Sequence, residues 1–392
     1  MAEIYSYTST APVNIATLKY WGKRNISLNL PTNSSVSVTL DQSDLRAITT
    51  AATSSSFTKD RLWLNGTEED IDKSARLSTC VRELRKLRIE YEEKLTTEKK
   101  KIIPLSTYKL HIISENNFPT AAGLASSAAG FAALVSSVAG LYELPQTPEE
   151  LSVLARQGSG SACRSLFGGY VAWDMGVKED GSDSKAVSVA PREHWPDMRA
   201  LILVANANKK DVSSTSGMQT TVATSSLFKE RIETVVPERY EAMKKAIVDK
   251  DFESFAELTM RDSNQFHAVC LDSYPPIFYL NDTSRAAIRT VEEINKHAGK
   301  TVAAYTFDAG PNCVIYFLEE NAEKVIGPIR SALANAEGWN STEIAASLPE
   351  GFEQRWLEVL SAGVSRVYFT KVGDGPKKSD ETLIGADGEP KK

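Results

Sequence analysis

Residues 118–130, FPTAAGLASSAAG, form a stretch of small side chains that runs into the apolar pattern FAALVSSVAGL at 131–141. A turn without bulky side chains lets backbone N–H groups approach an anion closely, and the helix that follows adds unpaired amides and the positive end of its dipole. Phosphate is held in this way. Ala122, Gly123, Leu124, Ala125, Ser126 and Ser127 are therefore a candidate phosphate cradle. The two serine hydroxyls can donate to phosphate oxygens or complete the shell of a Mg²⁺ ion. A small-residue helix packed on a sheet has the same composition, so the reading depends on what the rest of the chain supplies.

Three other segments supply it. In 11–24, APVNIATLKYWGKR, Lys19 and Lys23 stand four apart around Tyr20, Trp21 and Gly22, so two ammonium groups can meet a diphosphate beside an aromatic ring. Read alone, the same pair is more simply a solvated surface feature. In 158–169, GSGSACRSLFGG, exposed amides, the hydroxyls of Ser159 and Ser161 and the planar cation of Arg164 crowd into one loop. Arginine forks onto a carboxylate as lysine cannot, and so dense a set of donors favours an oxyanion site over a plain surface loop. In 301–312, TVAAYTFDAGPN, an apolar strand ends at Asp308 above a Gly-Pro turn, a usual place for chemistry and also for an ordinary turn-initiating aspartate.

These residues need a large scaffold, and the chain provides one. Its 392 residues, 42% hydrophobic and 24% charged, suffice for two or three domains around sizeable cores. A net charge of −6 gives no electrostatic case for nucleic acid or an anionic membrane, so an anionic ligand must be held by a local basic cluster. No apolar run spans a bilayer and the first residues lack the pattern of a signal peptide, which makes the cytoplasm the expected location. The four cysteines form no C-x-x-C pair and the four histidines no metal-ligand spacing.

The positioning elements follow from periodicity. Strands are expected at 12–17, 34–40, 45–50, 61–64 and 108–114, and Leu77, Val81, Leu84, Leu87, Tyr91 and Leu95 mark a helix whose charged remainder reads as a solvated face. The helix of the phosphate loop follows, then a helix over 148–157 and a strand over 169–175. A boundary near 190 divides an N-terminal lobe, 1–190, from a C-terminal lobe, 191–392. The second lobe shows a strand at 200–205, long helical patterns over 225–261 that Pro237 should interrupt or kink, a helix over 284–297, strands at 301–307 and 313–318 and a helix after 322. The tail from about 373, rich in Gly, Pro, Lys and Asp, reads as loosely ordered.

The GLASSA motif at 123–128 resembles that of the small-metabolite kinase superfamily that includes galactokinase, homoserine kinase, mevalonate kinase and phosphomevalonate kinase. Five segments together, 14–23, 117–127, 158–169, 211–218 (DVSSTSGM) and 307–312, are similar to those of one family within it, the mevalonate diphosphate decarboxylases in their fungal form. The kinases generally carry a glycine-rich loop where this chain has DAGPN. The resemblance covers almost the whole chain. It implies an α/β (α+β) fold of two lobes, an N-terminal lobe of the ribosomal-protein-S5 type and a ferredoxin-like C-terminal lobe, with ATP and Mg²⁺ meeting mevalonate diphosphate in the cleft between them.

It also implies roles. Asp308 would orient or accept the proton of the substrate's tertiary hydroxyl, Arg164 would hold its carboxylate, Lys19 would sit beside the reacting hydroxyl, and Ser127 would serve phosphoryl transfer. Tyr20, Lys23, Ser159, Ser161, Ser214 and Thr215 would surround substrate, while residues 122–127 and Lys209 would hold nucleotide. The metal ligands stay unassigned, and a homodimer is the expected assembly. Two other functions are compatible with the residues: a kinase that phosphorylates without decarboxylating, and a non-catalytic ligand-binding regulator.

Overall fold

The computed structural model describes residues 2–100, 102–118, 126–205, 211–339 and 342–391. β-branched and aromatic residues suit a pleated, half-buried surface, and in the first half of the chain they build two sheets. One is six-stranded, in the order Lys377–Lys378, Tyr5–Pro12, Arg46–Ser54, Lys109–Asn116, Arg61–Leu64, Thr67–Glu69. The other is four-stranded, in the order Ala186–Ala190, Tyr170–Trp173, Ser35–Thr39, Asn14–Leu18. Within the first, Arg61–Leu64 runs parallel to Lys109–Asn116. A parallel pair needs a long crossover, and the helix Ala75–Thr97 belongs to it. Its charged residues are not all solvated: Arg88 and Glu92 are buried, paired at 2.7 Å, and Arg88 also donates to the carbonyls of Tyr142 and Ile103.

The helix Ser126–Leu141 lies on the strands Tyr5–Pro12 and Arg46–Ser54. Small residues permit this close approach: a Cβ on Gly140 would lie 2.4 Å from the ring of Tyr7. The packing role of the small-residue stretch is thus real along the helix body, while its first turn presents Ser126 and Ser127.

A third sheet, antiparallel throughout, takes the order Ala303–Phe307, Cys313–Leu318, Met198–Ala205, Val364–Lys371 and packs against helices Phe252–Leu271 and Asp282–Ala298. The result is the expected mixed α/β fold in two lobes. Among the described residues no helix is long and apolar enough to cross a membrane. The helical pattern over 225–261 resolves into the short helix Leu227–Glu230, a π-helical turn Arg231–Val235, the helix Val236–Asp249 and a separate helix beginning at Phe252. Pro237 directly follows the π-helical turn: Val235 and Val236 keep right-handed helical backbone and Val236 N–H donates to the carbonyl of Arg231, so the helical register is interrupted where the proline lacks a donor.

The tail differs from the sequence reading. Instead of lying loose beside the second lobe, it returns to the first: Lys377–Lys378 pair with Thr10 and Ser9 at the sheet edge. Ile384 packs with Ala52, Trp63 and Ile113, Nδ1 of His111 donates to the carbonyl of Gly388 at 2.6 Å, and Arg61 pairs with Glu389. An unpaired strand edge is a template for backbone pairing, so a polar segment with one isoleucine is ordered by a partner that composition does not reveal. We expect Ile384→Ala to cost about 2 kcal/mol, the lower end for a large-to-small change in a peripheral core, in urea unfolding followed by fluorescence. Unchanged stability would return the tail to the status of a loose terminus.

Candidate active site

Asp308 directly follows the strand Ala303–Phe307, and a hydrogen bond of 2.7 Å from Gly310 N–H to its carbonyl closes the turn beyond it. Lys19 directly follows the strand Asn14–Leu18 of the other lobe. Its Nζ donates to Asp308 Oδ1 at 2.8 Å. The two side chains differ in exposure, 3% for Lys19 against 36% for Asp308, so the ammonium is enclosed while the carboxylate still faces outward and can meet a ligand. His267 lies within the field of both. Burial first, and then the charge of Lys19, push its imidazole down to about 3, so it adds bulk but no charge.

Arg164 lies in a 3₁₀ turn, Gly160–Leu166, and is buried rather than presented on a flexible loop. Its Nε donates to Asn14 Oδ1 at 3.2 Å and to Ser37 Oγ at 3.0 Å, and its Nη1 to Ser35 Oγ at 2.5 Å. Asn14 is held in turn, its amide donating to Ser165 Oγ and the carbonyl of Ser161. Strand residues of the second sheet therefore fix Nε and Nη1, and Nη2 makes no hydrogen bond among the described residues. The fork expected from sequence is thus narrowed to the Nη side. Asp308 is close enough to act on Arg164 electrostatically.

A second cationic group lies at Lys23 and Arg76. Gly22 turns the chain between the two lysines at φ +89°, a left-handed conformation that favours glycine, and a Cβ there would lie 2.5 Å from the Phe228 ring. The lysines accordingly take different neighbours, and neither is the solvated surface residue that its segment suggests alone: both are buried. Arg76, at the start of helix Ala75–Thr97, donates to Thr215 Oγ1 at 2.8 Å. Ser214 and Thr215 open the helix Ser214–Thr224, which Ser213 caps by accepting from Ser216 N–H. Tyr20 packs on Trp173 with ring centroids 4.7 Å apart, and its buried hydroxyl has no hydrogen-bond partner among the described residues. Gly160 permits this, since a Cβ there would lie 2.7 Å from the Tyr20 ring. Ser127 Oγ and Ser159 Oγ are 3.2 Å apart, which links the start of one helix to the end of the next.

The residues read from sequence thus form linked groups: Lys19 with Asp308 and Arg164, Tyr20 against Gly160, Lys23 near Arg76 and Thr215, and Ser127 with Ser159. Ser161 is linked to Arg164 through its carbonyl on Asn14. Ala122, Gly123, Leu124, Ala125 and Lys209 lie outside the described residues. Sequence reasoning missed Arg76, Asn14, Ser35 and Ser37. Arg76 stood among the charges of an amphipathic helix, and the hydroxyls stood in strands where serine carries no signal. Among the described residues, no three His, Cys, Asp or Glu side chains converge on a metal site.

The family model described as diphosphomevalonate decarboxylase-like N-terminal domain matches residues 11–186, and the mevalonate 5-diphosphate decarboxylase C-terminal domain matches 200–379. A diphosphomevalonate decarboxylase of Candida albicans is 62% identical over 97% of this chain and 99% of its own. A solved structure of a mevalonate 5-diphosphate decarboxylase, 56% identical, has a TM-score of 0.90 and covers 98% of this chain and 99% of its own. Another, described as MDDEF in complex with MVAPP, AMPPCP and magnesium, is 29% identical, with a TM-score of 0.75 over 97% of this chain and 100% of its own.

The Lys23 environment has a measurable consequence. Burial, with the charge of Arg76 added, holds its ammonium down to about 8 against an ordinary value of 10.5. The folded protein releases this proton first, so between those two values the unfolded chain binds more protons, and the ligand-free protein gains stability as pH rises through the window. An anion beside Lys23 favours the charged form instead. Calorimetric titration with inorganic diphosphate should therefore show affinity for wild type falling, relative to Lys23→Met, as pH rises through about 8. Parallel pH dependences for the two proteins would remove Lys23 from the anion site.

Proposed function

Because this chain belongs to the diphosphomevalonate decarboxylase family and carries out its ATP-dependent reaction, we propose that the chemistry takes place at the Lys19–Asp308 pair. Mevalonate diphosphate and ATP become isopentenyl diphosphate, ADP, phosphate and CO₂. The observation that carries the assignment is an enclosed ammonium from one lobe held at 2.8 Å on an outward-facing carboxylate from the other.

The reaction explains why such a pair is needed. Loss of CO₂ requires somewhere for an electron pair to go, and a 3-hydroxy acid has neither an adjacent carbonyl nor a cofactor sink. Phosphorylating the tertiary hydroxyl makes a leaving group. Its departure leaves positive charge at the tertiary carbon, and the electrons of the breaking C–C bond then fill that centre as the alkene forms. Asp308 orients the hydroxyl and accepts its proton, and its carboxylate then faces the carbon on which positive charge grows. Lys19 favours the ionised carboxylate and balances the transferred phosphate.

The Nη side of Arg164 takes the substrate carboxylate. This orients the bond that breaks, although equal binding in ground and transition states would not itself accelerate the step. Lys23, Arg76 and Tyr20, with Ser159, Ser161, Ser214 and Thr215, surround the diphosphate. The buried hydroxyl of Tyr20, without a hydrogen-bond partner among the described residues, and the buried ammonium of Lys23 beside Arg76 support that end of the reading.

Residues 122–127 and Lys209 hold the ATP phosphates, Ser126 and Ser127 contributing hydroxyls from the start of helix Ser126–Leu141. Magnesium, when bound, would neutralise phosphate charge, and the hydroxyls of Ser126 and Ser127 would complete its shell. A cytoplasmic homodimer goes with this reading.

Two substitutions test it. Asp308→Asn keeps shape and removes the proton acceptor, so it should bind ATP and mevalonate diphosphate while CO₂ release falls by about 10²–10⁴-fold; retention of most of the release would refute the role. Arg164→Lys keeps the charge but loses the anchors on Asn14, Ser35 and Ser37. It should weaken mevalonate diphosphate by about 1.5–3 kcal/mol, the value of hydrogen bonds to charged groups, and lower turnover, with ATP affinity unchanged in direct titration. If ATP weakens instead, the 158–169 loop faces the nucleotide.

A further inference from the structure

Lys19 is held by its main chain as well as by its side chain. Its N–H donates to Asp262 Oδ2 at 2.7 Å, and its carbonyl accepts from Arg231 Nη2 at 3.1 Å. Asp262 and Arg231 have side chains with no exposure at all, and they pair with each other at 2.8 Å through Nη1 and Oδ1. Arg231 opens the π-helical turn, Asp262 lies inside helix Phe252–Leu271, and both belong to the part of the chain that also supplies Asp308. Around them, Arg239 donates to Asp262 at 3.2 Å, Gln265 accepts from Arg231 at 2.8 Å, and Asn33 adds a second donor to the Lys19 carbonyl at 2.9 Å. Burial alone would push the Asp262 carboxyl up. The charge and hydrogen bonds of Arg231 outweigh it and hold Asp262 below the usual carboxylate range, so the clamp is ionic.

A buried ion pair is weak grounds for stability, because well-packed apolar residues of the same volume often do as well. Two apolar residues, however, cannot satisfy both the N–H and the C=O of one residue in another lobe. This pair does so, and the residue it grips is the one whose ammonium meets Asp308. An ammonium on a four-carbon stem has many rotamers, and fixing its Cα leaves only side-chain torsions to be set by Asp308. Misplacing a reacting group by about 1 Å can cost 10²-fold in rate, so the main-chain grip bears on rate rather than on binding.

We propose that Arg231 and Asp262 are positioning residues of the reaction, fixing the Lys19 main chain across the lobe interface so that its ammonium is delivered to Asp308. The inference rests on the reading of Lys19 and Asp308 given above. The pair touches no substrate in this scheme and acts only through Lys19.

The test is a double-mutant cycle on full-length protein, read by steady-state CO₂ release and ADP formation per folded molecule. Asp262→Asn and Arg231→Lys should each lower turnover by about 10- to 100-fold with the Michaelis constants of both substrates nearly unchanged. In a Lys19→Met background, Asp262→Asn should cost about twofold or less further, since residues acting as a unit are not additive. A loss as large in that background as in wild type overturns the proposal. So does an unchanged turnover per folded molecule, and so does failure of both Asp262→Asn and Arg231→Lys to accumulate as folded protein, which would make the pair a folding element. The underlying reading fails separately: Lys19→Met with wild-type turnover refutes the place of Lys19 itself, whatever the cycle shows.

Discussion

Lys19 is almost entirely enclosed, and an ammonium removed from water is costly unless a counter-charge and hydrogen bonds replace its hydration. Asp308 supplies the charge from the other lobe at 2.8 Å. The two residues sit just past the ends of strands in different sheets, so the pair exists only while both sheets hold their register and the lobes stay docked. Other bonds cross the same boundary: Tyr316 O–H donates to the carbonyl of Ile15 at 3.2 Å, and Tyr240 O–H donates to Asp174. On the Asp308 side, Ser263 Oγ accepts from Phe307 N–H at 3.1 Å and ties the strand end to helix Phe252–Leu271.

Charge in the cleft is distributed by burial as much as by residue type. The protein as a whole carries −6, yet Lys19, Lys23, Arg76 and Arg164 gather here, and among the described partners only Lys19 and Arg164 have Asp308 near enough to matter. Groups that could blur the pattern stay neutral: burial raises the Tyr20 and Tyr316 hydroxyls and lowers the His267 imidazole. A substrate with a carboxylate at one end and a diphosphate at the other finds cations for both ends. The Arg164 plane is held by side chains of the sheet, whereas Lys23 lacks a carboxylate among the described residues and so is placed to receive an anion.

Main-chain bonds carry the geometry over longer distances. The peptide of Gly373 bridges two strand ends of the N-terminal lobe, its carbonyl accepting from Gly169 N–H and its own N–H donating to Thr39, both at 2.9 Å. The chain then runs from the third sheet to the open edge of the first, so its start and its finish share one sheet. The site lies between lobes joined by this returning segment as well as by the Lys19 contacts.

Much of this was determined by sequence alone, where the physics is local. Strand patterns such as 34–40 and 313–318, the helix around Leu77–Leu95, the small-residue start of Ser126–Leu141 and the aspartate after an apolar strand all follow from periodicity and turn chemistry. Lys19, Arg164 and Asp308 stood out by residue type in recognisable segments. What tertiary structure decided is long-range. That Lys19 and Lys23 are buried, that Arg164 spends Nε and Nη1 on Asn14, Ser37 and Ser35, that Arg76 reaches Thr215 and that Ile384 seats the tail depend on partners tens to hundreds of residues away. Arg231 and Asp262 are the sharpest case. In sequence they are two more charges in helical patterns, and only packing, which removes both from water and sets the N–H and carbonyl of Lys19 against them, turns them into a clamp.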